Sequence, residues 1–231
     1  RSGVNTSLVV KDPKTPSGVA LIVVDDAGEN AIVVAPGANM CVTPEDVDRA
    51  RDAIAEADAV VLQLEIPADT VAHTIRLAHS LGVRIVLNPA PIRPMDKELI
   101  GLVDVLVPNQ HESSELTGRP GEGREIDPVS AAQQLRALGA GAVVITLGGQ
   151  GSYVCAEGVS ETVESMRVTP VDTTAAGDAF TASLACALAE GRDLAGAVRF
   201  ATRVAAIVVT RVGAQPSMPA RDEVESYVFG N

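Results

Sequence analysis

The sequence predicts an α/β protein: a mainly parallel central sheet covered by helices on both faces, with a small antiparallel sheet appended at the front. Three observations predict it. After Pro44, short apolar strands alternate with helical patterns, which implies right-handed crossovers and a parallel sheet. Before it, β-branched runs are separated by turn formers. The chain has 231 residues and is 46% hydrophobic, enough for one sizeable core, or one core with a small appendage.

The elements follow in order. Ser7–Lys11, Gly18–Val24 and Asn30–Ala35 are the β-branched runs, with Asp12-Pro13-Lys14-Thr15-Pro16 and Asp25-Asp26-Ala27-Gly28-Glu29 between them. That is the pattern of an antiparallel meander. Pro44–Ala57 has apolar residues at helical spacing behind Thr43, a plausible N-cap. Ala59–Leu64 is a strand, and Pro67–Leu81 a helix closed by Gly82. Val83–Leu87 and Val103–Val107 are strands, Asp127–Leu138 a helix stopped by Gly139, and Ala142–Leu147 the next strand. An alanine-rich helix, opened by the stretch Val171–Phe180, runs to about Glu190. No internal repeat, low-complexity tract or Ser/Gly linker interrupts the order.

Composition narrows the function. A net charge of −12 argues against nucleic-acid or anionic-membrane partners, whose phosphates such a surface repels. No apolar run reaches the ~20 residues that span a bilayer, and the start lacks the apolar stretch of a signal peptide. Cys41, Cys155 and Cys186 have no metal-ligand spacing and read as reduced thiols, so a cytoplasmic location is expected. His73, His79 and His111 sit at no triad spacing and read as surface or helix residues.

Ligands on open α/β sheets bind beyond the carboxyl ends of the strands, so the residues just after each strand carry the information. The richest segment is Val171-Asp172-Thr173-Thr174-Ala175-Ala176-Gly177-Asp178, which opens the alanine-rich helix. Small residues at 175–177 let the chain turn tightly and aim N–H groups at an anion. Asp178, in the first turn, is a carboxylate the helix dipole favours and a base for an attacking hydroxyl. An anion hole beside a base suits phosphoryl transfer, which depends on positioning and charge stabilisation. The same residues also read as a helix start that merely caps its own helix. Thr146-Leu147-Gly148-Gly149-Gln150-Gly151 would let a nucleotide phosphate approach the backbone; a Gly-rich hairpin explains it equally well. Asn109 and Glu112, three apart at a helix start, could hold hydrated Mg²⁺ and phosphates, or form a capping box.

Five segments, in order, are similar to the ribokinase family of carbohydrate kinases: Asn88-Pro89-Ala90-Pro91, Pro108-Asn109-Gln110-His111-Glu112, Thr146-Leu147-Gly148, Asp172-Thr173-Thr174-Ala175-Ala176-Gly177-Asp178 and Arg211-Val212-Gly213-Ala214-Gln215-Pro216-Ser217. The resemblance runs from about Gly18 onward, and the Asp-Thr-x-Ala-Ala-Gly-Asp signature is specific to the superfamily. It implies a three-layer sandwich with a β lid, and transfer of the γ-phosphoryl group of ATP to a sugar hydroxyl. Gly-Ala-Gln-Pro-Ser points to members acting on the 5-hydroxyl of D-ribose rather than to fructose or nucleoside kinases. It further implies Asp178 as base, Ala175, Ala176 and Gly177 as anion hole, Asn109 on the phosphates and Glu112 supporting the Mg²⁺ waters. Thr146, Leu147, Gly148, Gly149, Gln150, Gly151 and Thr202 would line the adenosine site. Glu65 would bind a sugar hydroxyl; by itself it reads as a solvated strand-end carboxylate. Asp172, Thr174, Val208, Arg211, Gly213 and Ser217 match positions that hold K⁺, mostly through carbonyl oxygens; Arg211 by itself reads equally as a solvated helix-end cation.

Family members begin with a sheet strand and a Gly-Gly-Lys-Gly-Ala-Asn sugar motif, and neither is present in residues 1–231. The expected organisation is therefore a partial lid and dimerisation region over 1–42 and a core over 43–231 lacking its first strands, with sugar phosphorylation impaired. A homodimer through the lid is expected, with sugar and ATP as small-molecule partners. The alternatives are a kinase for another sugar, nucleoside or sugar acid, and a non-catalytic nucleotide-binding fragment.

Overall fold

A computed structural model describes residues 3–24, 30–118 and 127–229. Its core is a six-stranded sheet with strands in sequence order: β3 (Ala59–Leu62), β4 (Arg84–Leu87), β5 (Val105–Leu106), β6 (Ala142–Thr146), β7 (Ser152–Ala156) and β8 (Val159–Val163). β3 to β6 pair in parallel, and β7 and β8 continue the sheet antiparallel. Each parallel pair is joined through helix: α3 (Ala68–Ser80) between β3 and β4, α4 (Lys97–Ile100) between β4 and β5, α5 (Gln110–Leu116) and α6 (Pro128–Ala137) between β5 and β6. After the sheet come α7 (Ala176–Ala189), α8 (Leu194–Val208) and α9 (Arg221–Ser226).

The apolar strand runs are continuous because both faces are covered. Ile85, Leu87, Leu106, Val143 and Ile145 face one layer, where they pack with Ile75 of α3, Leu99 of α4 and Leu135 of α6. Their neighbours Val86, Val105, Val144 and Val154 face the other, against Phe180 and Leu184 of α7 and Val198 and Ala201 of α8. Period-2 alternation along each strand thus divides one sheet between two cores. The mainly parallel three-layer sandwich expected from the sequence is what forms. Gly82 ends α3 with φ 70°, as its place after the last apolar residue predicts.

Two expectations fail at the front of the chain. The meander is a two-stranded ribbon, β1 (Val19–Val24) paired antiparallel with β2 (Asn30–Ala35). Ser7–Lys11 forms no strand: Ser7 N–H bonds Asn5 Oδ1 at 3.0 Å and Val9 N–H bonds the Thr6 carbonyl at 3.0 Å. The segment turns locally, and Asp12 accepts the Lys14 amide at 2.7 Å. A β-branched run without a neighbouring strand has nowhere to place its ladder bonds. The turn expected at Asp25–Glu29 lies outside the described residues. The helix expected over Pro44–Ala57 is two pieces, α1 (Pro44–Arg49) and α2 (Arg51–Ala55). They meet at Ala50 (φ −89°, ψ 2°), whose amide bonds the Val47 carbonyl three residues back, so the ladder slips there. Thr43 is the N-cap, in a capping box with Asp46.

Candidate active site

A cavity of about 550 Å³ opens beyond the carboxyl end of β6. Of the residues singled out in the sequence, Thr146, Gly148, Gly149, Gly151, Ala176, Gly177 and Thr202 line it. Leu147 and Gln150 do not, though they lie in the same turn, closed by Leu147 N–H on the Gly151 carbonyl at 2.8 Å. Gly151 has φ 97°, and a Cβ there would sit 2.0 Å from the Val163 carbonyl oxygen. The β6–β7 turn and the strand leaving β8 can approach this closely only at glycine. Thr202 is buried on α8, its hydroxyl donating to the Val198 carbonyl at 2.9 Å. With Ala205, Ala206 and Val209 it forms one helix stripe along the cavity wall. The sequence reading missed that stripe, although the spacing of 0, 3, 4 and 7 residues from Thr202 was its signal. It also missed the wall made by Ser165, Met166 and Val168; no periodic pattern marks that extended segment.

The far end of the cavity is the turn into α7. Asp172 Oδ1 accepts the Thr174 amide at 2.9 Å, and Ala176 N–H bonds the Thr173 carbonyl at 3.2 Å. Ala175 stands at φ 61°, a left-handed conformation that no other described non-glycine residue adopts. The amides of Ala175, Gly177 and Asp178 have no hydrogen-bond partner among the described residues. At Gly177, nothing lies within 4 Å of where a Cβ would stand. Three open N–H groups at the positive end of a fourteen-residue helix form an anion site. Asp178, in the first turn, is exposed, and its carboxylate makes no hydrogen bond among the described residues.

Asn109 and Glu112 start α5. Asn109 Oδ1 accepts the Glu112 amide at 2.8 Å, and Glu112 Oε2 accepts the Asn109 amide at 2.8 Å. The capping box that the spacing allowed is formed. Asn109 also bridges in parallel to Thr146, so the box stands beside the cavity wall. Burial pushes the Glu112 carboxyl above its ordinary range, against the lowering effect of the Asn109 amide. Sequence spacing could not show that Glu112 is buried.

The residues expected around a monovalent cation lie on the 172–174 loop, at the end of α8 and on the 211–217 loop, and the two loops are joined. Asp172 Oδ2 accepts the Gly213 amide at 2.8 Å, so one carboxylate ties residues 172–174 to 211–217 and is held below the usual carboxylate range by its bonds from Thr174 and Gly213. Val208 ends α8, and Ser217 is buried with its hydroxyl on the Ala214 carbonyl at 2.6 Å. Arg211 turns its side chain to Glu223 on α9, so it is a paired cation rather than a solvated one. Among the described residues, no three His, Cys, Asp or Glu side chains cluster as a metal site. Glu65 is exposed just past β3. Its neighbours Leu64 and Ile66 line a second cavity of about 280 Å³, and α7 packs against β3.

The profile of the pfkB family of carbohydrate kinases matches residues 1–221. The ribokinase of Staphylococcus aureus is 39% identical over 222 residues, covering 96% of this chain and 73% of its own length. The deoxyribokinase of Salmonella typhimurium is 36% identical over 231 residues, covering 99% of this chain and 75% of its own. The ribokinase of Arabidopsis thaliana complexed with ribose and ATP superposes with a TM-score of 0.82 at 33% identity, over 92% of this chain and 69% of that one.

Proposed function

Because the chain belongs to the pfkB family of carbohydrate kinases and is an ATP-dependent sugar kinase, we propose that its reaction is phosphorylation of D-ribose at the 5-hydroxyl. One observation carries the site assignment: the turn into α7, with open amides at Ala175, Gly177 and Asp178, borders a nucleotide-sized cavity through Thr173, Ala176 and Gly177. ATP lies with its adenosine against Thr146–Gly151 and the Thr202 stripe, and its phosphates toward Ala175–Gly177 and Asn109. The sugar hydroxyl stands at Asp178, which takes its proton as the oxygen attacks the γ-phosphorus. The bond to the β-phosphate oxygen breaks, and ADP leaves. The open amides of Ala175, Gly177 and Asp178 stabilise charge where it develops, and Glu65 holds a hydroxyl at the far side of the sugar.

Mg²⁺ supplies charge neutralisation on the phosphates. It keeps several waters and needs few carboxylates, which fits a site without a cluster of three acidic side chains among the described residues. K⁺ fits the carbonyl-rich loops at 172–174 and 208–217, which Asp172 draws together. Support for ribose comes from the 39% identity to a ribokinase and from the Gly213–Ser217 segment. Similarity to a deoxyribokinase makes the 2-position the discriminating group. We further propose residues 1–42 as a lid and dimer region on a 43–231 core, in a cytoplasmic homodimer. A coupled ADP-release assay over ribose, 2-deoxyribose, fructose and nucleosides tests the reading: ribose is turned over with the highest kcat/KM, and preference for another sugar overturns it.

A further inference from the structure

We propose that the Arg211–Glu223 ion pair is a positioning device for the phosphate-binding turn, holding the anion hole open by tethering it to α9. This rests on the reading of residues 175–177 as that hole. The side chains form a continuous chain of contacts. The Arg211 guanidinium pairs with both carboxylate oxygens of Glu223, and its Nη1 reaches the Ser217 carbonyl at 3.4 Å. That closes the loop 211–217 on itself and on α9. Within the loop, the Gly213 amide holds one oxygen of Asp172 at 2.8 Å, and the other oxygen holds the Thr174 amide at 2.9 Å. Thr174 precedes Ala175, the left-handed residue whose unusual φ aims the open amides.

Left-handed alanine is strained and persists only where its surroundings over-determine it. Here the surroundings are thin: Val212, Ala214, Gln215 and Pro216 are exposed, and only Ser217 anchors the loop by burial. By contrast α9 is well fixed. Val224 is buried with Val204, Ile207 and Val208 of α8, and Arg203 Nε donates to the Val224 carbonyl at 2.7 Å. The Arg211 side chain is 28% exposed and that of Glu223 40%, so the two-point geometry of the pair, rather than its burial, gives it weight. It is therefore the link between a rigid element and a strained, solvent-facing turn.

The test uses Glu223→Gln, which keeps volume and removes charge, and the charge-reversed double variant Arg211→Glu with Glu223→Arg. Hydrogen exchange over 172–177 should accelerate in Glu223→Gln, and the Kd for Mg-ADP should rise roughly tenfold, while the melting temperature and exchange in β4–β6 hold. The double variant should restore both readouts. Exchange over 172–177 unchanged in Glu223→Gln overturns the tether, whatever the nucleotide does. A parent chain that binds no Mg-ADP fails the kinase reading instead, and leaves the exchange result standing. Should Glu223→Gln melt early, Arg211→Lys, which keeps the charge but not the fork, decides: protection lost over 172–177 at an unchanged melting temperature supports the tether, and full protection overturns it.

Discussion

Asp178 and Glu112 are carboxylates in opposite surroundings, and the difference sorts their tasks. Asp178 is exposed in the first turn of α7, and in the proposed reaction it takes the proton of the bound hydroxyl. Asp178→Asn should lower kcat by roughly 10²–10⁴-fold with ADP affinity little changed, because only the proton transfer is lost; near-normal turnover would remove it from the mechanism. Glu112 is buried, and its folded pKa stands above its unfolded one. The native state therefore holds that proton more tightly, and this contribution, present in acid, is lost as pH rises through the folded value. Glu112→Gln mimics the protonated form. Its stability relative to the parent should improve between pH 4 and 7 without nucleotide, as followed by urea midpoints. Asp172 has the opposite sign: its lowered pKa makes its bonds to Thr174 and Gly213 a contribution lost on acidification.

At the scale of elements, caps and turns decide where the site residues stand. Asn109→Ala removes an N-cap and should cost about 1 kcal/mol. It also frees the Glu112 amide beside the cavity, so Mg-ATP affinity should fall with it in a binding titration; unchanged affinity would confine Asn109 to capping. The legibility of the sequence follows the same division. Strands β3 to β6 were readable because each is an apolar run bounded by turn residues, and the α7 start because small residues precede an acid at a helix N-terminus. Ser7–Lys11 was misread because β propensity measures fit to a partner surface, and among the described residues no strand pairs with it. The break at Ala50 was invisible because alanine signals helix wherever it stands. The Ser165–Val168 wall and the Arg211–Glu223 pair, twelve residues apart, exist only once the chain folds back.

At the scale of the whole molecule, the β1–β2 ribbon carries apolar side chains that the core does not cover. Val19 and Leu21 of β1 and Val33 of β2 are 57%, 64% and 65% exposed on one face of the ribbon, and Val34, on the other, is 57% exposed. A two-stranded ribbon is at best marginally stable alone, so apolar side chains on both faces point to two coverings. A second ribbon across a two-fold axis would cover one, and the sugar cleft the other. Leu21→Asp and Val34→Asp separate the roles, since the residues project to opposite faces. Light scattering over a dilution series should show one variant as a monomer. The other should keep the dimer mass and raise the KM for sugar. A parent that is monomeric at micromolar concentration, or two variants with its unaltered mass, would count against the ribbon as the dimer contact. The KM arm then still reports whether the ribbon closes over the sugar. A dimer built this way would couple subunits through the lids, so cleft closure and assembly would favour each other by the same factor: adding ribose should lower the dimer dissociation constant, and adding ATP alone should leave it as it was.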